Sequence, residues 1–387
     1  MQRVSINPRA DWQALANQLG FKFHTLYGEP YWDESAYYQF TLQQIESDIE
    51  NPTAELHGMC LELVDKVVSN EQLLQRLHIP ELYWDYIHNS WRAGDKHLYG
   101  RMDLAYDGSG PAKFYEYNAD TPTSLYESAF WQWIWLEQIM EQSMLPTGCD
   151  QFNSIQERLI ERLAVLDIPQ PLYFACCKGT EEDRGTVQYF EDCALQAGLA
   201  TKFIYVEDIG ISPEGEFTDL DDYTIPALFK LYPWEWLMEE AFGPAIPDSG
   251  THFLEPPWKA VLSNKGILPL LWEMFPNHPN LLPAYFEDEI NQNNQFTKGF
   301  VRKPLLSREG SNITIQDHQG IQHVVEGPYD DSGYIIQAYH PLPAFSGNYT
   351  LVGSWVIADE PAGIGIREDR QVITKDSSRF LPHVIID

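Results

Sequence analysis

The chain has 387 residues, of which 44% are apolar, and a formal net charge of -32. This composition is typical of a globular protein, and the negative charge disfavours nucleic acid and anionic lipid surfaces as partners. The five cysteines are odd in number without CxxC spacing, and no apolar run approaches the roughly 20 residues of a membrane helix. We therefore expect a cytoplasmic protein that binds neither nucleic acid nor a membrane.

Helical patterns dominate the first part of the chain. One helix is predicted to begin after Asn51 with Pro52 in its first turn. Proline is tolerated there because an N–H group in the first turn has no partner within the helix in any case. A second helical pattern, rich in aromatic residues, runs over 124–140. Many Trp and Tyr side chains could line a recognition groove, but packing in the core is the stronger interpretation.

A β-hairpin is predicted between these helices. Two runs of alternating polarity cover about 97–106 and 113–119, and turn residues at 107–111 separate them. Successive side chains of a strand point to opposite faces, so Arg101 and Asp103 share a face, and so do Glu116 and Asn118 on the next strand. Pairing of the two strands would bring all four side chains together.

The rest of the chain divides into two patterns. Residues 151–250 alternate helix and strand, which indicates a small parallel sheet. After residue 257, one short helical segment precedes strand patterns, which predict an antiparallel sheet. These strand patterns lie at 300–306, 312–317, 322–326, 334–339 and 350–359.

The four polar residues of the hairpin suit a metal site. Two carboxylates and a carboxamide oxygen are ligands that magnesium prefers, above all when a nucleotide adds phosphate oxygens. The alternative is a solvated sheet face with an incidental cross-strand ion pair, and spacing alone favours that alternative.

The amino-acid sequence around the second hairpin strand favours the metal site. The sequence FYEYNADTPTSLYESA at 114–129 resembles the metal-binding strand of the glutathionylspermidine synthase family, which follows an upstream Arg-x-Asp. The segments at 258–282 and 300–312 resemble that family's nucleotide-binding motifs, and YIIQAYHPLP and GIGIRED extend the resemblance over most of the chain.

The resemblance implies a role for each matching residue. The implied magnesium ligands are Asp103, Glu116 and Asn118. Arg101 would stabilise the transferring phosphoryl group, and Arg367 matches a second active-site arginine. The implied ATP-binding residues are Arg101, Lys265, Lys303, Glu309, Gly310, Gln337, Ala338, Tyr339 and His340. Of these, the residues at 337–340 would form the adenine-binding edge through main-chain groups.

The implied substrate-binding residues are Thr121, Glu181, Glu182 and Leu231. Leu231 stands where the family carries a glutathione-contacting threonine, and Thr121 stands where a serine is found. A site built to bind a hydroxyl is weakened when that hydroxyl is lost, so a carboxylate other than glutathione is the favoured donor. The acidic charge favours a cationic amine, such as a polyamine, as the acceptor.

These expectations give an α+β fold of the ATP-grasp type, in a permuted order in which the metal strand precedes the nucleotide lysines. The expected units are 1–150 with helices and the metal hairpin, 151–255 as a small α/β substrate domain, and 256–387 as the nucleotide-binding part. The expected activity is an ATP- and Mg²⁺-dependent ligation of a small-molecule carboxylate to an amine. A non-catalytic carbohydrate or peptide binding protein and a metal-carboxylate hydrolase remain alternatives.

Overall fold

The computed structural model describes residues 1–26, 28–290, 296–308, 310–329, 333–375 and 378–386. The α-helices of these residues are α1 (Trp12–Gln18), α2 (Asn51–Val67), α3 (Glu71–Arg76), α4 (Trp84–Ala93), α5 (Gln132–Glu141), α6 (Ile155–Ala164), α7 (Glu181–Gln196), α8 (Trp234–Glu239), α9 (Lys259–Leu262) and α10 (Ile267–Met274). Among the described helices we find none with the length and apolar character that a bilayer crossing requires.

The strands follow the same chain order. They are β1 (Gln2–Ser5), β2 (Thr25–Leu26), β3 (Glu29–Pro30), β4 (Ala36–Phe40), β5 (Tyr99–Ala105), β6 (Lys113–Asn118), β7 (Leu172–Cys176), β8 (Thr201–Tyr205), β9 (Gly210–Ile211), β10 (Phe217–Thr218), β11 (Ala227–Leu231), β12 (His252–Leu254), β13 (Ala284–Phe286), β14 (Gly299–Pro304), β15 (Thr314–Asp317), β16 (Gln322–Val324), β17 (Tyr334–Ala338), β18 (Ala344–Phe345), β19 (Asn348–Ile357), β20 (Glu360–Asp369), β21 (Arg379–Leu381) and β22 (His383–Ile385).

The sheet that carries the hairpin is antiparallel, with the order β21-β20-β19-β5-β6 and with β18 paired to β19. The predicted hairpin of β5 and β6 is therefore confirmed. The prediction that 350–359 joins the strands at 300–339 is wrong, because β19 pairs with β5 instead. Both positions suit an apolar strand, and only long-range pairing distinguishes them.

Two further sheets flank the hairpin sheet. Strands β13, β17, β14, β15 and β16 form the antiparallel sheet predicted for the C-terminal part. Strands β12, β11, β7 and β8 form the predicted parallel sheet. The sequence analysis did not identify β11 and β12, which are short apolar runs with little alternation.

The helix predicted to begin after Asn51 begins earlier. A π-helical segment, Gln44–Glu50, runs directly into α2, so Pro52 lies inside a continuous helical stretch. Since proline lacks the N–H that an interior helix position donates, the change from π to α winding falls where one hydrogen bond is missing in any case.

Aromatic side chains fill much of the interior. Trp131, Trp135 and Trp355 are fully buried, and Trp355 stacks on Tyr99 of β5 with ring centroids 6.2 Å apart. All three tryptophans belong to one cluster of buried apolar residues, so core packing is the better interpretation for them. The stack also fixes β5 against β19.

Helix α2 gives a test of this packing. Leu63 is fully buried in the main core, whereas its neighbour Glu62 is exposed. We expect Leu63→Ala to lower the free energy of unfolding by about 2–5 kcal/mol, because it removes buried methyl groups and leaves a cavity. Glu62→Ala should change that free energy by less than about 0.5 kcal/mol. Urea denaturation of both variants measures the difference, and equal midpoints would contradict the assigned core.

Candidate functional site

Strands β5 and β6 bring the four polar residues of the hairpin together. In their register Arg101 lies opposite Asn118, and Asp103 lies opposite Glu116. All four side chains line one cavity. The convergence that the alternating pattern predicted is therefore confirmed, and it places two carboxylates, a carboxamide and a guanidinium on a single face.

Arg101 is buried, with 6% of it exposed, and several hydrogen bonds hold its guanidinium in place. Its Nε lies 2.8 Å from Asp103 Oδ1, and its Nη2 lies 3.4 Å from Asp103 Oδ2. Its Nη1 donates to the Thr123 carbonyl at 2.9 Å and to Ser124 Oγ at 3.1 Å. A buried guanidinium with its donors satisfied in this way is oriented before any ligand arrives.

Two buried lysines surround Glu116. Lys265 Nζ lies 3.1 Å from Glu116 Oε2 and donates to the Ser307 carbonyl at 2.8 Å. Lys303, on β14, donates to the Tyr115 carbonyl at 3.0 Å. Burial alone would raise the pKa of Glu116, but the charges of Lys265 and Lys303 bring it down to about 2. Burial lowers the pKa of Lys303 to about 8. Two cations thus face one carboxylate, which suits a further anion.

A cavity of about 690 Å³ opens beside these groups. Its lining includes Asp103, Tyr115, Glu116, Lys303, Gly310, Gln337, Ala338, Tyr339 and His340. The structure restricts the expected use of main-chain groups along 337–340. The Ala338 N–H already donates to the Pro283 carbonyl at 2.7 Å, and the Tyr339 N–H donates to the Gly299 carbonyl at 2.9 Å. The Gln337 side chain donates to the Phe114 carbonyl at 3.3 Å.

A second, larger cavity of about 1180 Å³ adjoins the first. The residues common to both linings are Asp103, Glu116, Gly310, Ile313 and Thr374. The predicted metal ligands Asp103 and Glu116 therefore lie where the two cavities meet. A group bound in one cavity could contact a group bound in the other at this junction.

The loop after β14 contributes to both cavities. Gly310 has a φ of +72°, and a Cβ there would come within 2.7 Å of the Thr374 carbonyl, so only glycine fits without strain. Arg308 lines the larger cavity and donates to Thr121 Oγ1 at 2.7 Å and to Glu235 Oε1 at 2.8 Å. The predicted ATP-binding residue Glu309 lies outside the described residues.

The predicted substrate residues divide between two places. Thr121, Glu182 and Leu231 line the larger cavity. Glu181 does not: it is exposed and lines a separate groove on the other side of the first turn of α7. Consecutive residues of a helix are about 100° apart around its axis, so adjacent glutamates need not face the same cavity.

Arg367 also lines the larger cavity, from β20. Its Nη2 donates to the Lys375 carbonyl, and its guanidinium carbon lies 5.3 Å from the centroid of the Phe380 ring. Its buried Nε has no hydrogen-bond partner within the described ranges. The structure thus places it in the same cavity as Arg101, with one donor uncommitted.

Sequence reasoning missed two groups near this cavity. Tyr31 lines the cavity from the N-terminal part of the chain, far in sequence from the hairpin, and no local motif marks it. Glu127 lies in a π-helical segment, Glu127–Trp131, and is 1% exposed. A carboxylate inside an apolar helical run was the available signal, because ionised groups are rarely buried without a role.

Comparison with known proteins gives a family. The model of the family described as glutathionylspermidine synthase preATP-grasp matches residues 3–386. A putative acid–amine ligase of Haemophilus influenzae is 40% identical over 403 residues, covering 100% of both chains. The bifunctional glutathionylspermidine synthetase/amidase of Escherichia coli is 27% identical, over 92% of this chain and 60% of that protein.

Two other comparisons extend this result. The trypanothione synthetase of Crithidia fasciculata is 28% identical, over 84% of this chain and 53% of its own length. The chain thus spans between half and two thirds of these longer relatives. A glutathione synthetase-like effector of Globodera pallida has a similar fold, with a TM-score of 0.54 at 10% identity over 90% of this chain and 89% of that chain.

The packing around Arg101 can be tested at Gly353 of β19. A Cβ at Gly353 would come within 2.7 Å of Arg101 Cδ, and Arg101 cannot move without breaking its hydrogen bonds. We expect Gly353→Ala to lower the free energy of unfolding by about 1–3 kcal/mol, a typical cost of overpacking.

The matched control is Gly58→Ala in α2, where a Cβ would meet nothing within 4 Å. That change should stabilise the protein by about 0.5–1 kcal/mol, the helix preference of alanine over glycine. Urea denaturation of both variants, and of Gly353→Ala combined with Arg101→Ala, tests the cause. If the cost of Gly353→Ala persists without the Arg101 side chain, then the clash is not its origin.

Proposed function

The chain belongs to the glutathionylspermidine synthase preATP-grasp family, and we propose that it is a Mg-ATP-dependent ligase that joins a carboxylate to an amine. The similarity to an acid–amine ligase over the whole of both chains supports this class of reaction. The fold shared with a glutathione synthetase-like protein is in keeping with an ATP-grasp core. We also propose a permuted order, in which the metal strand with Asp103 precedes the nucleotide lysines Lys265 and Lys303.

One observation carries the proposal: the oxygen-bearing residues Asp103 and Glu116 lie at the junction of two cavities. The smaller cavity contains Lys303 and suits a nucleotide, because its lysine can bind a phosphate group. The larger cavity contains Thr121 and Leu231 and would hold the substrates. Phosphoryl transfer from one cavity to the other requires a site of this kind between them.

The residues present fit a magnesium ion. Asp103, Glu116 and Asn118 offer two carboxylates and a carboxamide oxygen, which are hard donors. Asn118 also leaves its buried amide nitrogen without a partner within the described part of the chain. When bound, the ion would neutralise charge on the nucleotide phosphates.

The reaction would proceed in two steps. A substrate carboxylate attacks the γ-phosphate of ATP, so that an acyl phosphate and ADP form. The amine then attacks the acyl carbon; the C–N bond forms, the C–O bond to phosphate breaks, and the amine nitrogen gives up its surplus protons. Arg101 would stabilise the charge on the transferring phosphoryl group, whereas Lys265 and Lys303 would bind and position the phosphates of ATP.

The acceptor is proposed to be a cationic amine and the donor a carboxylate other than glutathione. The net charge of -32 attracts cations, and Glu182 lies in the substrate cavity. Leu231 is 5% exposed and lines that cavity with apolar atoms. A polar donor group against it would lose a hydrogen bond at a cost of about 1–3 kcal/mol.

A screen of phosphate release tests the function. Pairs of carboxylates and amines, with glutathione and spermidine as one pair, are incubated with Mg-ATP, and products are identified by mass. We expect phosphate release only when both substrates are present, and the product mass should show an amide. If no pair exceeds the enzyme-free rate and Mg-ATP does not raise the melting temperature, the ligase proposal is wrong.

The metal assignment gives the next prediction. We expect Asp103→Ala and Glu116→Ala each to abolish the magnesium dependence of ATP binding, because each removes a proposed ligand. Glu235→Ala is the control: this carboxylate pairs with Arg308 and does not line the nucleotide cavity. Calorimetric titration with ATP, with and without Mg²⁺, makes the measurement. If the affinity for Mg-ATP is unchanged in both the Asp103→Ala and the Glu116→Ala variant, the metal assignment is wrong.

The cations should divide their roles. Lys303→Ala is expected to weaken ATP binding, whereas Arg101→Ala should mainly lower kcat, since an interaction made chiefly in the transition state affects rate more than affinity. The loss for Arg101→Ala is expected to be on the order of 3 kcal/mol in activation free energy. Measured nucleotide Kd and kcat decide between the roles, and parallel losses in the two variants would contradict this division.

A further inference from the structure

One end of the larger cavity carries a carboxylate, Glu182, that forms no ion pair within 4.0 Å among the described residues. Tyr31 and Glu182 line this cavity but not the smaller one that contains Lys303. The Tyr31 hydroxyl donates to Glu182 Oε1 at 3.1 Å. Burial, followed by the charge of Asp183, raises the pKa of Glu182. Tyr31 and Glu182 therefore place acceptor oxygens side by side at the end of the cavity away from Lys303.

Glu127 stands beside this pair. It is 1% exposed, and neither of its carboxylate oxygens has a hydrogen-bond partner within the described residues. Burial raises its pKa to about 8, and the charge of Glu182 adds to the rise. Burial, followed by the charges of Glu127 and Glu182, raises the pKa of Tyr31. A buried carboxyl group without partners is costly, so a site of this kind is incomplete without a donor or a cation.

The nearby arginines do not supply that cation. Arg101 gives its bidentate side to Asp103. Arg367 donates to the Lys375 carbonyl. Across the described ranges, no ion pair within 4.0 Å reaches Glu127 or Glu182. The charges of Arg367 and Arg101 partly oppose the effect of burial on the pKa values of Glu182 and Glu127, but neither arginine pairs directly with these carboxyl groups.

We propose that Tyr31, Glu127 and Glu182 form a subsite for a substrate ammonium group at this end of the cavity. An ammonium has three N–H donors, which match the acceptor oxygens of Glu182 and Tyr31. The subsite rests on the proposed ligase function, because that reaction takes an amine. The ammonium belongs either to the amine acceptor or to a carboxylate donor that also bears an amino group.

Glu182 and Tyr31 contact the ammonium, and Glu127 acts as a positioning residue. Its carboxyl group is buried close enough to Tyr31 and Glu182 for their charges to interact, and no hydrogen bond within the described residues holds it elsewhere. Its negative charge, once a cation is bound, adds to the attraction in a buried site where charges interact strongly. The adjacent Glu181 lies outside the cavity and shares none of these contacts, which makes it a matched control.

Calorimetry with spermidine as the probe tests the subsite. The enzyme is loaded with Mg²⁺ and a non-hydrolysable ATP analogue, and Glu127→Gln, Glu182→Gln and Glu181→Gln are compared with wild type. Each glutamine is close in shape to glutamate but carries no charge. We expect the spermidine Kd to rise about tenfold in the first two variants, as for a lost hydrogen bond to a charged group. It should be unchanged in Glu181→Gln.

A second arm identifies the source of the ammonium. Glutathione and N-acetylglutathione are titrated into the same proteins. Weakened binding of glutathione alone in Glu127→Gln and Glu182→Gln would assign the subsite to the donor's amino group; weakened spermidine binding assigns it to the acceptor. Tyr31→Phe, which keeps the ring, should weaken the same probe.

Several results would overturn the subsite. The first is that neither spermidine nor glutathione binds to wild type. The second is that Glu127→Gln leaves the Kd of both probes unchanged. The third is that Glu181→Gln weakens the binding of a probe as much as Glu127→Gln does. Affinity for the ATP analogue and the melting temperature, measured on each variant, show whether the fold is intact. Failure of phosphate release with every substrate pair would refute the ligase function, whereas probe binding that depends on Glu127 and Glu182 would remain.

Discussion

Compensation of buried charge is the constraint on which this site depends. Arg101 lies in an interior where an unpaired ion costs several kcal/mol, so it must lie against Asp103. Glu116 is likewise matched by Lys265, which comes from the segment before α10. These pairs can form only if β5, β6 and that segment occupy their observed positions. The polar groups of the site are therefore also conditions on the fold.

The hairpin that carries these charged residues was partly predictable from the sequence. Alternation of side chains along a strand is a local property, so the common face of Arg101 and Asp103 was visible in the sequence. The register that places them opposite Asn118 and Glu116 was not visible, because residues 106–112 connect the strands and the pairing shifts by one residue between Asp103 and Leu104. Local rules thus determined which side chains share a face, whereas the pairing of the two strands required the structure.

Other parts of the site depend on contacts that have no local signal. The partner strand of β5 is β19, which lies about 250 residues away in the chain, and its composition would suit either antiparallel sheet. Tyr31 reaches the cavity through the packing of the N-terminal part of the chain. The family resemblance implied a substrate role for both Glu181 and Glu182, but the turn of α7 separates them.

Polar contacts between three segments also join the surroundings of the larger and the smaller cavity. Asp120, at the end of β6, accepts hydrogen bonds from Lys230 Nζ at 2.7 Å and from the Trp234 N–H at 2.8 Å. The next residue, Thr121, accepts from Arg308 of the loop after β14.

Arg308 also pairs with Glu235, the neighbour of Trp234 on α8, so that each of the three segments contacts the other two. The hairpin, the parallel sheet and the loop that carries Gly310 therefore hold one another in place. Because these contacts are mostly buried and charged, moving one segment would leave unpaired charges on the other two. A displacement of α8 would therefore disturb the loop that contributes Gly310 to both cavities.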